Sequence, residues 1–299
     1  VIADDGLVLS RFVHITALLF AFGVSFFPLY AFSRNGPVAS SVLRRRFKSG
    51  LLSACLIALV SGLSWLIFTA ASMSDSLSEA LNLSTLTAVL VESGFGRVWT
   101  VHMGLVMALC ILSGLKHWGS SAILMSASSG ACLASVALTG HTQEQEGLSF
   151  LVRVIADGAH LLAAGAWLGG FVALLAVAFD GRLESETGHI LKRFSGMGYG
   201  AVAILIGTGL INTWYLVPSL SDLVTSLYGR LLIIKLALFA LMLLLAALNR
   251  FWLVPAIVES NTVKSLYRLR LHVIGEQLLG VFIIALVSVL GTLAPFGKQ

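Results

Sequence analysis

The chain has 299 residues, of which 58% are hydrophobic and only 11% charged, with a formal net charge of +5. A soluble domain of this size would carry roughly 25% charged residues. The composition therefore excludes an ordinary soluble enzyme, and the continuous apolar runs of about twenty residues exclude a transmembrane barrel, whose strands alternate. The class it predicts is an all-α polytopic membrane protein.

Eight spans follow in chain order: 7–32, 51–71, 98–115, 122–139, 154–179, 194–217, 231–252 and 272–294. Between them, Ser76–Val91 and Ser219–Leu227 have the pattern of short amphipathic pieces lying on the membrane, and the simplest role for them is an interfacial cap. Of the 19 Lys and Arg residues, 13 fall on the side that holds Arg44, Arg45, Arg46, Lys192, Arg193 and Arg268, and 6 on the other. The basic side is expected to be cytoplasmic, which puts both termini outside and a mildly acidic rim (Glu79, Glu92, Glu144, Asp222) on the outer face. Cys55, Cys110 and Cys132 lie inside apolar runs at no paired spacing and read as small core residues.

The chain reads as a tandem duplication of four spans, residues 1–145 and 146–299. "SGFGRVWTVH" from Ser93 parallels "SLYGRLLIIK" from Ser226. Phe47 to Gly62 and Phe194 to Gly209 are equal intervals, and so are His14 to Gly23 and His160 to Gly169. Halves with an even number of spans point the same way, so a pseudo-two-fold axis along the membrane normal is expected, with sites at the repeat interface. His14 and His160 are then equivalents, whereas His102 corresponds to Lys235.

The organising stretch is "DGAHLLAAGAWLGG", Asp157–Gly170. Asp157 and His160 are three residues apart and share a helix face inside an apolar segment. Ionisable groups there are costly and mark a pathway or a site. His14, His102, His141 and His160 fall at one outer level on four different spans, while His117, His189 and His272 fall at the inner face. A single such imidazole is most simply a packing residue bonded to a carbonyl. Four at one level point to a metal, for which neutral imidazole is the commonest transition-metal ligand. Asp157 is placed as a further ligand or as the group that orients an imidazole. Met103 and Met73 add soft sulfur that favours Cu(I), although Met103 and His102 point about 100° apart on a helix. On the inner side His272 and Glu276 are an i,i+4 pair, with Glu276 expected in an ion pair with Arg268, Lys235 or Arg250, the alternative being that it takes up a translocating cation on its way in. Asn212 reads as a polar support or helix glue. The glycines near Trp167 suggest close helix packing with Trp167 filling space. Trp65, Trp99, Trp214, Tyr215 and Trp252 are expected in the interfacial belt. There is no Walker loop, HExxH, GxSxG or nucleotide fingerprint, so no enzyme chemistry is visible, and transport is passive or coupled to an ion.

Taken in order, "TGH" (from Thr139), "DGAHLLAAGAWLGG", "RFS", "TGLINTW", "YGRLLIIK" and "NRFWLVPA" resemble the copper resistance protein D (CopD/PcoD) family, over about Thr139 to Pro295. "GFGRVW" and the span count extend the resemblance to the first half. It implies a bacterial inner-membrane protein that moves copper, Cu+ or Cu2+, by the usual proposal from periplasm to cytoplasm, received from a separate periplasmic copper protein of the CopC type. The partners are then that protein and membrane lipid, with no nucleic acid. The family's histidines carry over to His141 and His160, and less directly to His14 and His102. Together with Asp157 these make the expected copper site. The alternative is a haem-b electron carrier or metalloreductase built on two of the same histidines.

Overall fold

The computed structural model describes residues 2–32, 41–74, 76–115, 122–139, 147–178, 187–217, 219, 221–253 and 263–293. Among them every regular element is helical, and eight helices are long and apolar enough to cross a membrane. The helices are α1 (Ile2–Ala31), α2 (Ser41–Ser74), the short α3 (Leu77–Ala80) and α4 (Leu83–Glu92), α5 (Gly94–Gly114) and α6 (Ala122–Ser135), which tightens into a 3₁₀ turn at Val136–Thr139. Then come α7 (Leu148–Ala164), a π turn (Gly165–Gly169), its continuation α8 (Gly170–Ala178), α9 (Thr187–Leu216), the short α10 (Asp222–Thr225), α11 (Leu227–Leu248) ending in a second π turn (Asn249–Leu253), and α12 (Val263–Leu290).

The helices outrun the apolar stretches read from the sequence. α2 begins at Ser41, ten residues before Leu51, because Arg44, Arg45, Arg46 and Lys48 are good helix formers that hydropathy does not count. The two amphipathic segments fold as short helices: α3 and α4 precede α5, and α10 precedes α11. Both junctions use one device. Ser93 accepts from Gly96 N, and Ser226 from Gly229 N, each at 2.9 Å, which caps the helix start. A Cβ on Gly96 would strike the backbone of Val89 and Leu90, and one on Gly229 that of Asp222 and Leu223, so both glycines let the preceding short helix fold back onto the span.

α1 is the central helix, packed on α2, α6, the α7–α8 unit, α9 and α12. It comes into backbone contact with the π turn at Gly23, where a Cβ would run into the backbone of Gly169, and a Cβ on Gly169 would meet Leu19 O. Two glycines thus bring two backbones into contact in the bundle centre, as small residues do in membranes. Trp167, in the adjoining π turn, is buried and lies edge-on to Phe239 at 6.3 Å. α6 is tied to α1 by serines: Ser25 and Ser129 hydroxyls are 2.6 Å apart, and Ser126 donates to Ser25 O at 2.7 Å. Exposed apolar side chains such as Leu210, Leu244 and Phe282 give α9, α11 and α12 a lipid-facing surface. α1 begins and α12 ends at the same face, since Arg11 abuts Gly291.

Candidate metal site

His14 on α1 and His102 on α5 are both fully buried. Their Nε2 atoms are 2.8 Å apart and their ring centroids 5.0 Å apart. With the centroids so much farther apart than the nitrogens, the rings point at one another end to end. Trp65 and Trp99 wall the pair. The Trp99 ring stacks on His102 at 4.9 Å and lies 5.5 Å from His14, while Trp65 stands edge-on to His14 at 5.7 Å. Arg11 covers Trp65, its guanidinium 4.6 Å from the ring centroid. Trp65 and Trp99, expected in the interfacial belt, are instead buried, because both turn inward against the imidazoles, Trp99 stacked and Trp65 edge-on. Trp214 and Trp252 are exposed, as a belt requires.

The hydrogen bonds assign the protons of the pair. His14 Nδ1 lies 2.9 Å from Ala58 O, which can only accept, so His14 carries its proton on Nδ1 and presents a bare Nε2. His102 Nε2–H must then donate to it. A neutral His102 has a bare Nδ1, and Ser135 Oγ, 2.7 Å away, donates there. Ser135 has a second outlet, Cys132 O at 2.8 Å. If the hydroxyl turns to that carbonyl, Ser135 accepts from His102 Nδ1–H instead, and His102 Nε2 becomes bare as well. The pair can therefore offer two lone pairs by a tautomer shift, with no net loss of a proton. A second ring nitrogen held by carbonyl or hydroxyl is the usual support of a metal-binding histidine. Two imidazoles on opposite sides of one ion, each at about 2.0 Å, stand about 4 Å apart. To take an ion between them the pair would have to open by about 1 Å. A haem would need a flat slot between its two histidines, and these nitrogens touch between packed indoles, so the pair does not fit that group.

Sulfur is also near. A Cβ on Gly62 would be 2.5 Å from Met103 Sδ and 3.2 Å from His14 Cε1, so the absent side chain lets the thioether stand beside the His14 ring. Its neighbour Ser61 approaches His14 Nδ1 at 3.3 Å and donates to Ile57 O.

His160 occupies a separate, half-buried cluster on α7. Its Nδ1 is 2.8 Å from Thr208 Oγ1, and Thr208 donates to Ile204 O at 2.6 Å, so His160 carries its proton on Nδ1 and also has a bare Nε2. Gly209 follows Thr208 and faces His160 Cε1, as Gly62 follows Ser61 and faces His14. Asp157 accepts from Asn212 Nδ2 at 2.6 Å and lies within electrostatic reach of Arg153 and Lys235. Lys235 also acts on His160, where His102 acts on His14. Among the described residues, no three His, Cys, Asp or Glu side chains converge on one point. The structure brings His14 and His102 together, keeps Asp157 and His160 in the second cluster, and His141 lies outside the described residues.

Glu276 corrects a sequence expectation. Its described partner is an amide, not a cation: Asn249 Nδ2 donates to Oε1. Arg250 turns instead to the hydroxyl of Tyr199, and Arg268 is exposed. Asn249 was not singled out in the sequence, where "ALNRFW" reads as a span end and gives no sign that the side chain turns inward at a π turn.

A helical membrane protein with eight candidate spans and a buried imidazole pair, supported by hydroxyl and carbonyl partners and with a thioether beside it, has the donor chemistry that a metal-handling protein needs. The comparisons agree. Residues 2–151 match the family "Copper resistance protein D-like, N-terminal domain", and residues 188–290 match "Copper resistance protein D". The chain is 30% identical over 298 residues to Copper resistance protein D of Pseudomonas syringae pv. tomato, covering 95% of each chain. It is 26% identical to Inner membrane protein YebZ of Escherichia coli strain K12, over 96% of this chain and 97% of that one. It is 28% identical to Copper transport protein CutJ of Bacillus subtilis strain 168, over 82% of this chain and 46% of that one. No solved structure matches the chain. The chain belongs to the copper resistance protein D family, whose names point to copper transport and resistance rather than to enzymes.

Proposed function

We propose that the protein moves copper across the bacterial inner membrane, from periplasm to cytoplasm, and that His14 and His102 are its entry ligands. The observation that carries this is the end-to-end Nε2 pair, two imidazoles that can both turn lone pairs inward without releasing a proton. Met103 is the adjacent soft donor, which suits Cu+. His141, six residues beyond Ser135 in the chain, is a further donor in this reading. Asp157 and His160 form a second copper station, where Lys235 limits how long a cation is held. Residues 1–145 and 146–299 are a tandem repeat in this reading. The paired features Ser61–Gly62 with His14 and Thr208–Gly209 with His160 support it, as do the matching caps at Ser93 and Ser226. The pair lies at the face where α1 begins and α12 ends, which we place in the periplasm, facing a CopC-type donor.

The test is copper, iron and zinc content of protein purified from copper-supplemented cells, followed by copper flux into liposomes. Copper near one per chain, lost with flux in a His14→Ala/His102→Ala variant that still inserts, is the expected result. Undiminished copper and flux in that variant would overturn the reading.

A further inference from the structure

Far from the histidine pair, a further polar site lies within the span of α12. Glu276 is fully buried. It is fifteen residues before Gly291 on α12, about 22 Å along the helix from the level of Arg11. Asn249, also buried, opens the π turn that ends α11 and donates to Glu276 Oε1. This leaves two buried oxygens without a donor, Glu276 Oε2 and Asn249 Oδ1. Both residues line a cavity of about 180 Å³ between α8, α9, α11 and α12, whose walls include Trp167, Phe171, Phe194 and Tyr199. π turns inside helices are frequent at functional sites.

A buried carboxylate requires a positive partner. Among the described residues no cationic side chain bonds Glu276, and the ionisable groups nearest it are placed as follows. On α12, His272 lies one turn back with a buried, unpartnered Nδ1, and Arg268 is exposed. From the α11 π turn, Arg250 Nε donates to the Tyr199 hydroxyl of α9 at 3.3 Å. At the start of α9, Lys192 is exposed and Arg193 donates to Ala31 O. α1 contributes Tyr30, whose buried hydroxyl is likewise without a partner and lies against Gly170. Among the described residues, the α7–α8 wall gives the cavity Trp167, Phe171 and Leu174, none of them ionisable. Lys235 is engaged near Asp157.

We propose that Glu276 and Asn249 bind one small monovalent cation, a proton or an alkali ion, reached through this cavity. The two donorless oxygens supply the acceptors, and Asn249 Nδ2 holds the carboxyl group in place for them. Such a site provides the ion that coupled transport needs in a chain without a nucleotide fingerprint. It does not rest on the copper reading, because binding is measured without copper.

The experiment uses the full chain in detergent, free of copper. Thermal midpoints are followed with pH in choline chloride and with NaCl at fixed pH, since a ligand that binds only the folded state raises the midpoint by mass action. A saturable rise with protons or with sodium is expected. It should vanish in Glu276→Gln and shift to about tenfold higher concentration or more in Asn249→Ala. The same dependence in Glu276→Gln as in the natural chain would overturn the site. Should Glu276→Gln fail to fold, infrared difference spectra of the natural chain decide, with Asp157→Asn separating that carboxyl. A buried carboxyl band that responds to protons alone, or that sodium displaces, supports the site and tells the two ligands apart. A band unmoved by sodium and by protons from about pH 5 to about pH 9 overturns it.

Discussion

His14 and His102 meet Nε2 to Nε2 at 2.8 Å although 88 positions separate them in the chain. Each ring is held by its other nitrogen, His14 on Ala58 O and His102 on Ser135. Neither can rotate away without breaking a buried bond, so both lone-pair positions are fixed toward one point. Loss of either imidazole should therefore remove the site. His14→Ala and His102→Ala are each expected to weaken copper binding on the order of 100-fold or more, beyond the 10–100-fold typical of losing a supporting partner. His160→Ala should leave the first ion in place and slow its passage. Equilibrium copper binding and liposome flux, measured on the same three variants, separate the two effects.

Ser135 is the hinge of the proton arrangement. Ser135 Oγ stands between His102 Nδ1 and Cys132 O, so in the proposed site it donates to His102 in the empty pair and would accept from it once both Nε2 lone pairs faced an ion. Ser135→Ala removes both roles, and copper affinity should fall about 10–100-fold. Ser135→Thr keeps the hydroxyl and should restore most of it. Equal losses in the two variants would mean that packing, and not the hydroxyl, is what matters there.

Much of the scaffold was legible in the sequence, because a twenty-residue apolar run has few alternatives to a membrane helix. Depth was legible too: counting along the spans put His14 and His102 at one level. Rotation about each helix axis was not, since it is set by packing against neighbours that apolar runs do not specify. That is why His14, His102, Asp157 and His160 read as one centre, while the structure turns the first two toward each other and His160 toward Thr208. It is also why Trp65 and Trp99 read as part of the interfacial belt. The π turns at Gly165–Gly169 and Asn249–Leu253 have no signature in sequence, so the Asn249–Glu276 contact was out of reach.

Acid should compete with copper in a defined way. The ion and a proton seek the same lone pairs, so the copper-bound pair holds fewer protons than the protonated empty pair, and affinity falls as pH drops. Because the neutral pair reaches its binding form by a tautomer shift, affinity should be flat above neutrality and decline only below about pH 6.5, the ordinary imidazole value, or lower. Competition titrations with a copper chelator across that range read the curve. Affinity that kept rising through alkaline pH would show that binding releases a proton, against the assignment made from Ala58 and Ser135.

Gly23 tests the scaffold apart from the metal. Its Cβ position is already filled by the backbone of Gly169, and a backbone cannot swing aside as a side-chain tip does. Gly23→Ala must push α1 away from the α7–α8 unit and loosen Leu19 and Trp167 on either side of the crossing. Overpacking of this kind costs about 1–3 kcal/mol or more. Gly209→Ala provides the contrast, because its Cβ would sit 4.0 Å from His160, in ordinary contact. Thermal unfolding in detergent should show a marked fall in midpoint for Gly23→Ala and almost none for Gly209→Ala. If Gly23→Ala were as stable as the natural chain, α1 and α7–α8 would have to cross farther apart than the structure shows, and the separation of the two histidine clusters that follows from that crossing would need to be redrawn.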